Sequence, residues 1–214
     1  MQTLTSITDL TERVLATLQD LGAQRRVVVG LVGEPGSGKS TVAQALAEDL
    51  GSHGAVTTVV PMDGFHLANV ELARLGLAAR KGAPDTFDAL GYAALLHRLR
   101  TSTDETVYAP AFERSIEEAV AGSIPVLSET SVVVTEGNYL LVSEGLWARV
   151  APLLDLSCAL HVDDGSRSDW LRARHVRFGR SEEEAAAWVE AVDEPNAALV
   201  RSTMPRADVA LRLG

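Results

Sequence analysis

The run Gly33-Glu34-Pro35-Gly36-Ser37-Gly38-Lys39-Ser40 constrains this chain more than any other feature. A β-branched stretch, Arg26 to Val32, leads into it, and an apolar-periodic stretch, Thr41 to Leu50, follows and ends at Gly51. A buried strand, a tight turn and a helix are expected in direct succession. The run matches the spacing GxxxxGK[ST] in full. Glycines let the backbone curl so that successive N–H groups face one point, and the following helix adds the positive end of its dipole. Such a concavity suits the phosphates of ATP. Lys39 reaches the β- and γ-phosphates, and Ser40 offers its hydroxyl to Mg²⁺. The expected ATP-binding set is Gly33, Glu34, Pro35, Gly36, Ser37, Gly38, Lys39, Ser40 and Thr41. An ordinary glycine-rich strand–helix turn is the competing reading. The pattern arises by chance in roughly one chain of this size in a hundred. Glycines at 33, 36 and 38 do not follow the GxGxxG spacing of dinucleotide folds.

The rest of the chain sets the fold class. Ile7, Leu10, Val14, Leu18 and Leu21 predict an amphipathic helix stopped by Gly22. A second strand, Val56 to Val60, ends at Pro61. Further helices are expected at Asp88–Leu99, Leu146–Leu154 (ended or bent by Pro152), Ser166–Phe178, Glu182–Val192 and Asn196–Met204. Extended segments are expected at Thr106–Phe112, Ile124–Leu127, Ser131–Thr135, Leu156–Val162 and Ala207–Leu213. Strands alternating with helices imply an α/β fold, a parallel sheet covered by helices on both faces. No repeat or linker divides the chain, so one domain over residues 1–214 is expected.

Composition excludes several classes. The formal net charge is -10, which disfavours a nucleic-acid partner. No apolar run approaches the roughly 18 residues of a membrane span. Residues Thr3 to Leu21 carry acids and lack the continuous apolar core of a signal peptide. The single cysteine, Cys158, sits in an apolar run and reads as a buried, inert thiol. It permits no intrachain disulfide, which suits a reducing compartment, and the cytoplasm is the expected location.

In open parallel sheets the chemistry lies beyond the carboxyl ends of the strands. The second strand runs into Met62-Asp63-Gly64-Phe65, and Val132 to Thr135 runs into Glu136-Gly137-Asn138-Tyr139. Phosphoryl transfer needs one group to orient and deprotonate the attacking hydroxyl and others to hold Mg²⁺. Asp63 is the candidate base, and Glu136 the candidate metal-side acid beside Ser40. The bland alternative makes both of them helix caps or solvated loop acids. His66 either lines the site or sits on a surface loop.

Arg167, Arg172, Arg174, Arg177 and Arg180 crowd one predicted helix and its end. A basic helix closing over ATP would exclude water and supply positive charge to the transferring phosphoryl. A helical lid over about 164–181 is therefore expected, with Arg174 catalytic and Arg172 and Arg180 on the nucleotide. A solvated, salt-bridged helix is the competing reading.

Together these motifs resemble the uridine kinase, phosphoribulokinase and bacterial pantothenate kinase superfamily of P-loop kinases. The resemblance covers roughly Val27 to Asp208. Met62-Asp63-Gly64-Phe65 resembles the family's second-strand acid motif, and Val134-Thr135-Glu136-Gly137 its Walker B strand. Arg80 to Asp88 resembles the substrate-side segment, and Tyr108 to Ser115 the acceptor-site strand. Arg172-Ala-Arg174-His175 with Gly179-Arg180-Ser181 resembles the lid. Within the group the chain is most similar to the nucleoside/nucleotide kinase branch labelled fructose transport system kinase. Uridine kinases carry Phe-Asp-His where this chain has Lys81, Gly82 and Ala83; Arg80-Lys81-Gly82 resembles the pantothenate kinase version.

The resemblance implies an ATP- and Mg²⁺-dependent kinase with a small-molecule hydroxyl acceptor, a sugar, nucleoside or pantothenate-like metabolite. It implies acceptor contacts from Asp63, Lys81, Tyr108, Arg114 and Asn138, and a homodimer. The alternative is a regulatory ATP-binding protein whose output is a conformational change.

Overall fold

The computed structural model describes residues 1–22 and 25–213, with 164 and 166 by backbone alone. Five apolar residues and a glycine form the central strand β2 (Val27–Val32), buried along its whole length. Its side chains alternate between two cores, one on each face of the sheet. Val27, Val29 and Leu31 pack with α1 (Ile7–Leu21) and α2 (Lys39–Ser52). Val28 and Val32 pack on the opposite side with α4 (Ala89–Thr101) and α7 (Glu194–Thr203).

The sheet has six strands in the order β1 (Gln2–Leu4), β8 (Val209–Arg212), β7 (Leu156–His161), β2, β6 (Val132–Gly137) and β3 (Thr57–Pro61). Every pairing in it is parallel, so the expected α/β class holds. An antiparallel hairpin, β4 (Val107–Glu113) with β5 (Glu118–Val126), stands apart from the sheet. The remaining helices are α3 (Asn69–Leu75), α5 (Asp164–Arg177) and α6 (Glu182–Trp188). Among the described residues no helix is long and apolar enough to cross a membrane.

Local rules explain most boundaries. Ser6 and Asp9 form a reciprocal capping box at the start of α1, and the Asp88 carboxylate accepts from the Gly91 N–H at the start of α4. Three expectations need correction. The helix expected over Leu146–Leu154 is instead two 3₁₀ turns, Gly145–Arg149 and Ala151–Leu153. Pro152 has no N–H to continue an α-helix, so the chain tightens instead. The helices expected at Glu182–Val192 and Asn196–Met204 join through a π turn, Val189–Asp193. The ring of Pro195 would strike the carbonyl of residue 191, four positions back, and the wider turn relieves that clash. Finally, Arg26 is 1% exposed and serves as a staple rather than a strand head. Its guanidinium donates to the backbone carbonyls of Leu99, Ser102, Glu105, Leu127 and Thr130.

Candidate active site

Strand register assembles the site. Glu136 on β6 lies opposite Leu31 on β2 and Pro61 on β3. The ends of three adjacent strands therefore deliver the glycine loop, Glu136 and Asp63 to one place, Asp63 following β3 in a 3₁₀ turn, Met62–Phe65.

The loop adopts the curl its glycines allow. Gly36 and Gly38 have φ of 80° and 77°, a region that side chains rarely enter. Gly38 caps α2 with no side-chain bond, which leaves the first N–H groups of that helix for a ligand. Lys39 is buried, and its Nζ donates to the Glu34 carbonyl at 2.9 Å. Burial pulls the Lys39 pKa below its ordinary value, opposed by the nearby carboxylates of Glu136 and Asp63.

The Ser40 hydroxyl donates to Glu136 Oε1 at 2.7 Å. Glu136 is buried, and burial together with Asp63 raises its pKa against the pull of Lys39 and Ser40. No cluster of three or more His, Cys, Asp or Glu able to hold a metal occurs among the described residues. One carboxylate beside one hydroxyl at a phosphate loop nonetheless fits Mg²⁺, which takes one or two protein oxygens and fills its shell with phosphates and water.

A cavity of about 1020 Å³ opens over these groups. Its walls include Lys39, Ser40, Asp63, Glu136 and Arg174. Burial lowers the Arg174 pKa, with Arg114 acting in the same direction and Asp193 and Asp63 opposing it. Asp63 faces Arg114 Nη2 at 3.5 Å. Lys81, Arg114, Asn138 and Arg180 also reach the cavity. The Lys81 ammonium donates to Asn69 Oδ1 and to the Glu117 carbonyl and lies 5.1 Å from the centre of the Phe112 ring. The Arg180 guanidinium stacks on Trp188 at 3.7 Å.

Four predicted residues are not brought to the cavity: Tyr108, Arg172, Gly33 and Glu34. Tyr108 is 59% exposed, because its alternate neighbours Val107 and Ala109 take the inward face of β4. Arg172 points to solvent from α5. Gly33 and Glu34 lie behind the loop, and the Glu34 side chain faces away from the cavity toward Arg167 and Arg201.

Sequence reasoning left His66 open between the site and a surface loop, and it did not assign Phe178, Asp193 or Asn196 to the site. His66 does line the cavity, stacked between Phe87 at 4.0 Å and Phe112 at 4.7 Å. Its Nδ1–H donates to the Asp63 carbonyl, and burial lowers its pKa, so the ring is neutral near pH 7. Phe178 follows α5, and Asp193 and Asn196 come from the π turn and α7. Asp193 and Asn196 lie three residues apart, whereas Phe178 is separate in sequence and is marked only as a lone aromatic just after the arginine-rich helix.

The model of the Phosphoribulokinase / Uridine kinase family matches residues 28–214. The chain belongs to this family. It is an ATP-dependent kinase, a phosphotransferase with an alcohol group as acceptor. A Schizosaccharomyces pombe protein named "putative uridine kinase" is 35% identical over 88% of this chain and 84% of its own length. A pantothenate kinase of Leifsonia xyli subsp. xyli is 31% identical over 86% of this chain and 65% of its own. A crystal structure of a "putative fructose transport system kinase" from Silicibacter sp. TM1040 superposes with a TM-score of 0.89. It is 37% identical, and the match covers 97% of this chain and 99% of that one. The printed names of these three relatives differ.

Proposed function

We propose that the chain is a single kinase domain with α5 as its lid, transferring the γ-phosphoryl of ATP to a hydroxyl of a sugar, nucleoside or pantothenate-like metabolite. The observation that carries this reading is the meeting of Lys39, the Ser40–Glu136 pair, Asp63 and Arg174 on one cavity. Those are the charges and acid–base groups that in-line phosphoryl transfer demands.

In this reading the loop N–H groups and Lys39 hold the nucleotide phosphates. Mg²⁺, held by Ser40 and Glu136, supplies charge neutralisation on the phosphates. Asp63 accepts the proton of the acceptor hydroxyl and orients it for attack. Arg114, 3.5 Å from Asp63, holds the carboxylate ready and reaches the acceptor. Lys39 and Arg174 balance the charge that spreads over the transferring group. Phe112, His66 and Phe178 wall the acceptor end and exclude water.

The test is Mg²⁺-dependent ADP release with a panel of nucleosides, ketoses, aldoses, pantothenate and pentose phosphates. One acceptor is expected to raise the rate well above the water background. Asp63→Asn is expected to lower that rate by roughly 10²–10⁴ with ATP affinity little changed. An unchanged rate removes Asp63 from the role of base. Normal ATP affinity in Lys39→Ala contradicts the assignment of the loop.

A further inference from the structure

One buried charge at the phosphate loop faces away from the chemistry. Glu34 is 9% exposed, and its carboxylate lies on the reverse side of the loop. Arg201 of α7 grips it with two nitrogens, Nε to Oε1 at 3.1 Å and Nη2 to Oε2 at 2.6 Å. Arg167 of α5 approaches it from the other side, Nε to Oε2 at 3.3 Å. The Arg167 side chain is 3% exposed. Its remaining nitrogens reach the Pro35 carbonyl at 3.4 Å and the Glu194 carboxylate. A buried guanidinium thus joins the loop, the root of the lid helix and the start of α7.

The backbone of the same residue faces the chemistry. The Glu34 carbonyl accepts from Lys39 Nζ at 2.9 Å and from the Ser37 N–H at 3.1 Å. Nucleotide phosphates compete with that carbonyl for Lys39. The lid also rests directly on the loop. A Cβ at Gly36 would sit 2.6 Å from Leu171 Cγ and 3.1 Å from the Arg167 carbonyl, both on α5. Arg174 lies two turns beyond Arg167 on this helix, roughly 10 Å along its axis.

We infer that Glu34 is a positioning residue: its carboxylate, clamped by Arg167 and Arg201, couples the phosphate loop to α5, so that nucleotide on the loop sets where the lid holds Arg174. The inference rests on the kinase reading above. It gives the second residue of the glycine loop a part that its place in the GxxxxGK[ST] spacing does not assign. The physical basis is the buried pair. Without the Glu34 carboxylate the buried Arg167 guanidinium keeps Glu194 and the Pro35 carbonyl but loses its charged tie to the loop, which weakens the seat of α5 there.

Hydrogen exchange read by mass spectrometry tests this on the full chain, with and without ATP and Mg²⁺. In the wild type, ATP is expected to slow exchange both in the loop and along α5. Glu34→Gln is expected to keep ATP protection of the loop and lose it along α5. Without nucleotide, α5 of that variant is expected to exchange about tenfold faster than in the wild type. A purely structural role would loosen α5 without removing its response to ATP. Equal ATP protection of α5 in both proteins overturns the coupling, as does protection confined to the loop in the wild type. No ATP protection of the wild-type loop refutes the nucleotide site and the kinase reading with it. Should Glu34→Gln fail to fold, Arg201→Gln replaces it. Its parent side chain is half exposed, and the same loss of α5 response, several-fold in exchange rate, is expected there.

Discussion

Gly64 links the candidate base to the acceptor wall, and a single methyl group there tests the geometry between them. A Cβ built on Gly64 lies 2.4 Å from the Pro110 carbonyl oxygen and 2.7 Å from its carbon. Ordinary contact begins near 3.4 Å, so the two backbones must part by about 1 Å (3.4 minus 2.4). Neither side is a flexible side-chain end. Pro110 belongs to β4, whose strand carries Phe112 and leads to Arg114; Gly64 follows Asp63 directly. Gly64→Ala therefore pushes Asp63 and the wall formed by β4 apart without removing any functional group. Overpacking of this kind costs about 1–3 kcal/mol, or about 2–12 °C in Tm at about 2–4 °C per kcal/mol. A misplacement near 1 Å costs about 10²-fold in rate. Steady-state ADP release with the acceptor found by the panel should fall by about that factor. ATP affinity by calorimetry should stay within about twofold, because the three atoms nearest the new methyl all belong to Pro110 and none to the loop. Turnover equal to wild type would refute the rigid seating of Asp63 against β4. ATP affinity falling as far as turnover would show that the strain spreads through the whole site.

Three further outcomes follow from buried groups. Arg26→Met leaves the fully buried carbonyls of Leu99 and Thr130 without their donor, at about 1–3 kcal/mol each; relief of the buried charge offsets part of this, so denaturant melts should show a loss of about 3 kcal/mol. Glu136, raised by burial, must ionise to hold Mg²⁺, so Mg²⁺ affinity should rise with pH from the ordinary carboxylate range upward and release a proton on binding, and calorimetry should find this dependence gone in Glu136→Gln. The metal-free fold has the opposite slope: the protonated carboxyl stabilises it, and that contribution is lost as pH rises through the raised value. Burial pushes the Cys158 thiol up to about 12, so a thiol reagent should leave the native protein unlabelled and react after denaturation; prompt native labelling would mean that β7 opens readily.

What was legible in the sequence is what local rules dictate. The glycine loop announces itself because its spacing, its preceding strand and its following helix are contiguous. Asp63 and Glu136 were legible for a related reason: each ends an apolar strand, and parallel topology carries such ends to one edge, where the register sets Glu136 beside Pro61. The acceptor end obeys no such rule. Asp63, Lys81, Phe112, Phe178 and Asn196 come from five separate segments, and no period or spacing binds them. Tyr108 shows the cost of reading one segment alone. Its motif placed it at the acceptor, while the alternation of β4, with Val107 and Ala109 inward, sends it out to solvent. Glu34 shows the converse. Its place in the loop motif put it with the ATP-binding residues, yet its carboxylate turns the other way, to a buried arginine of α5 and a half-exposed one of α7. The proposed ATP loop is read along the chain, whereas the proposed acceptor wall and the contacts of α5 are read only across it. Family members that share the loop can therefore differ in acceptor, and substitutions at Lys81, Phe112 or Asn196 should shift acceptor preference while leaving ATP affinity where it was.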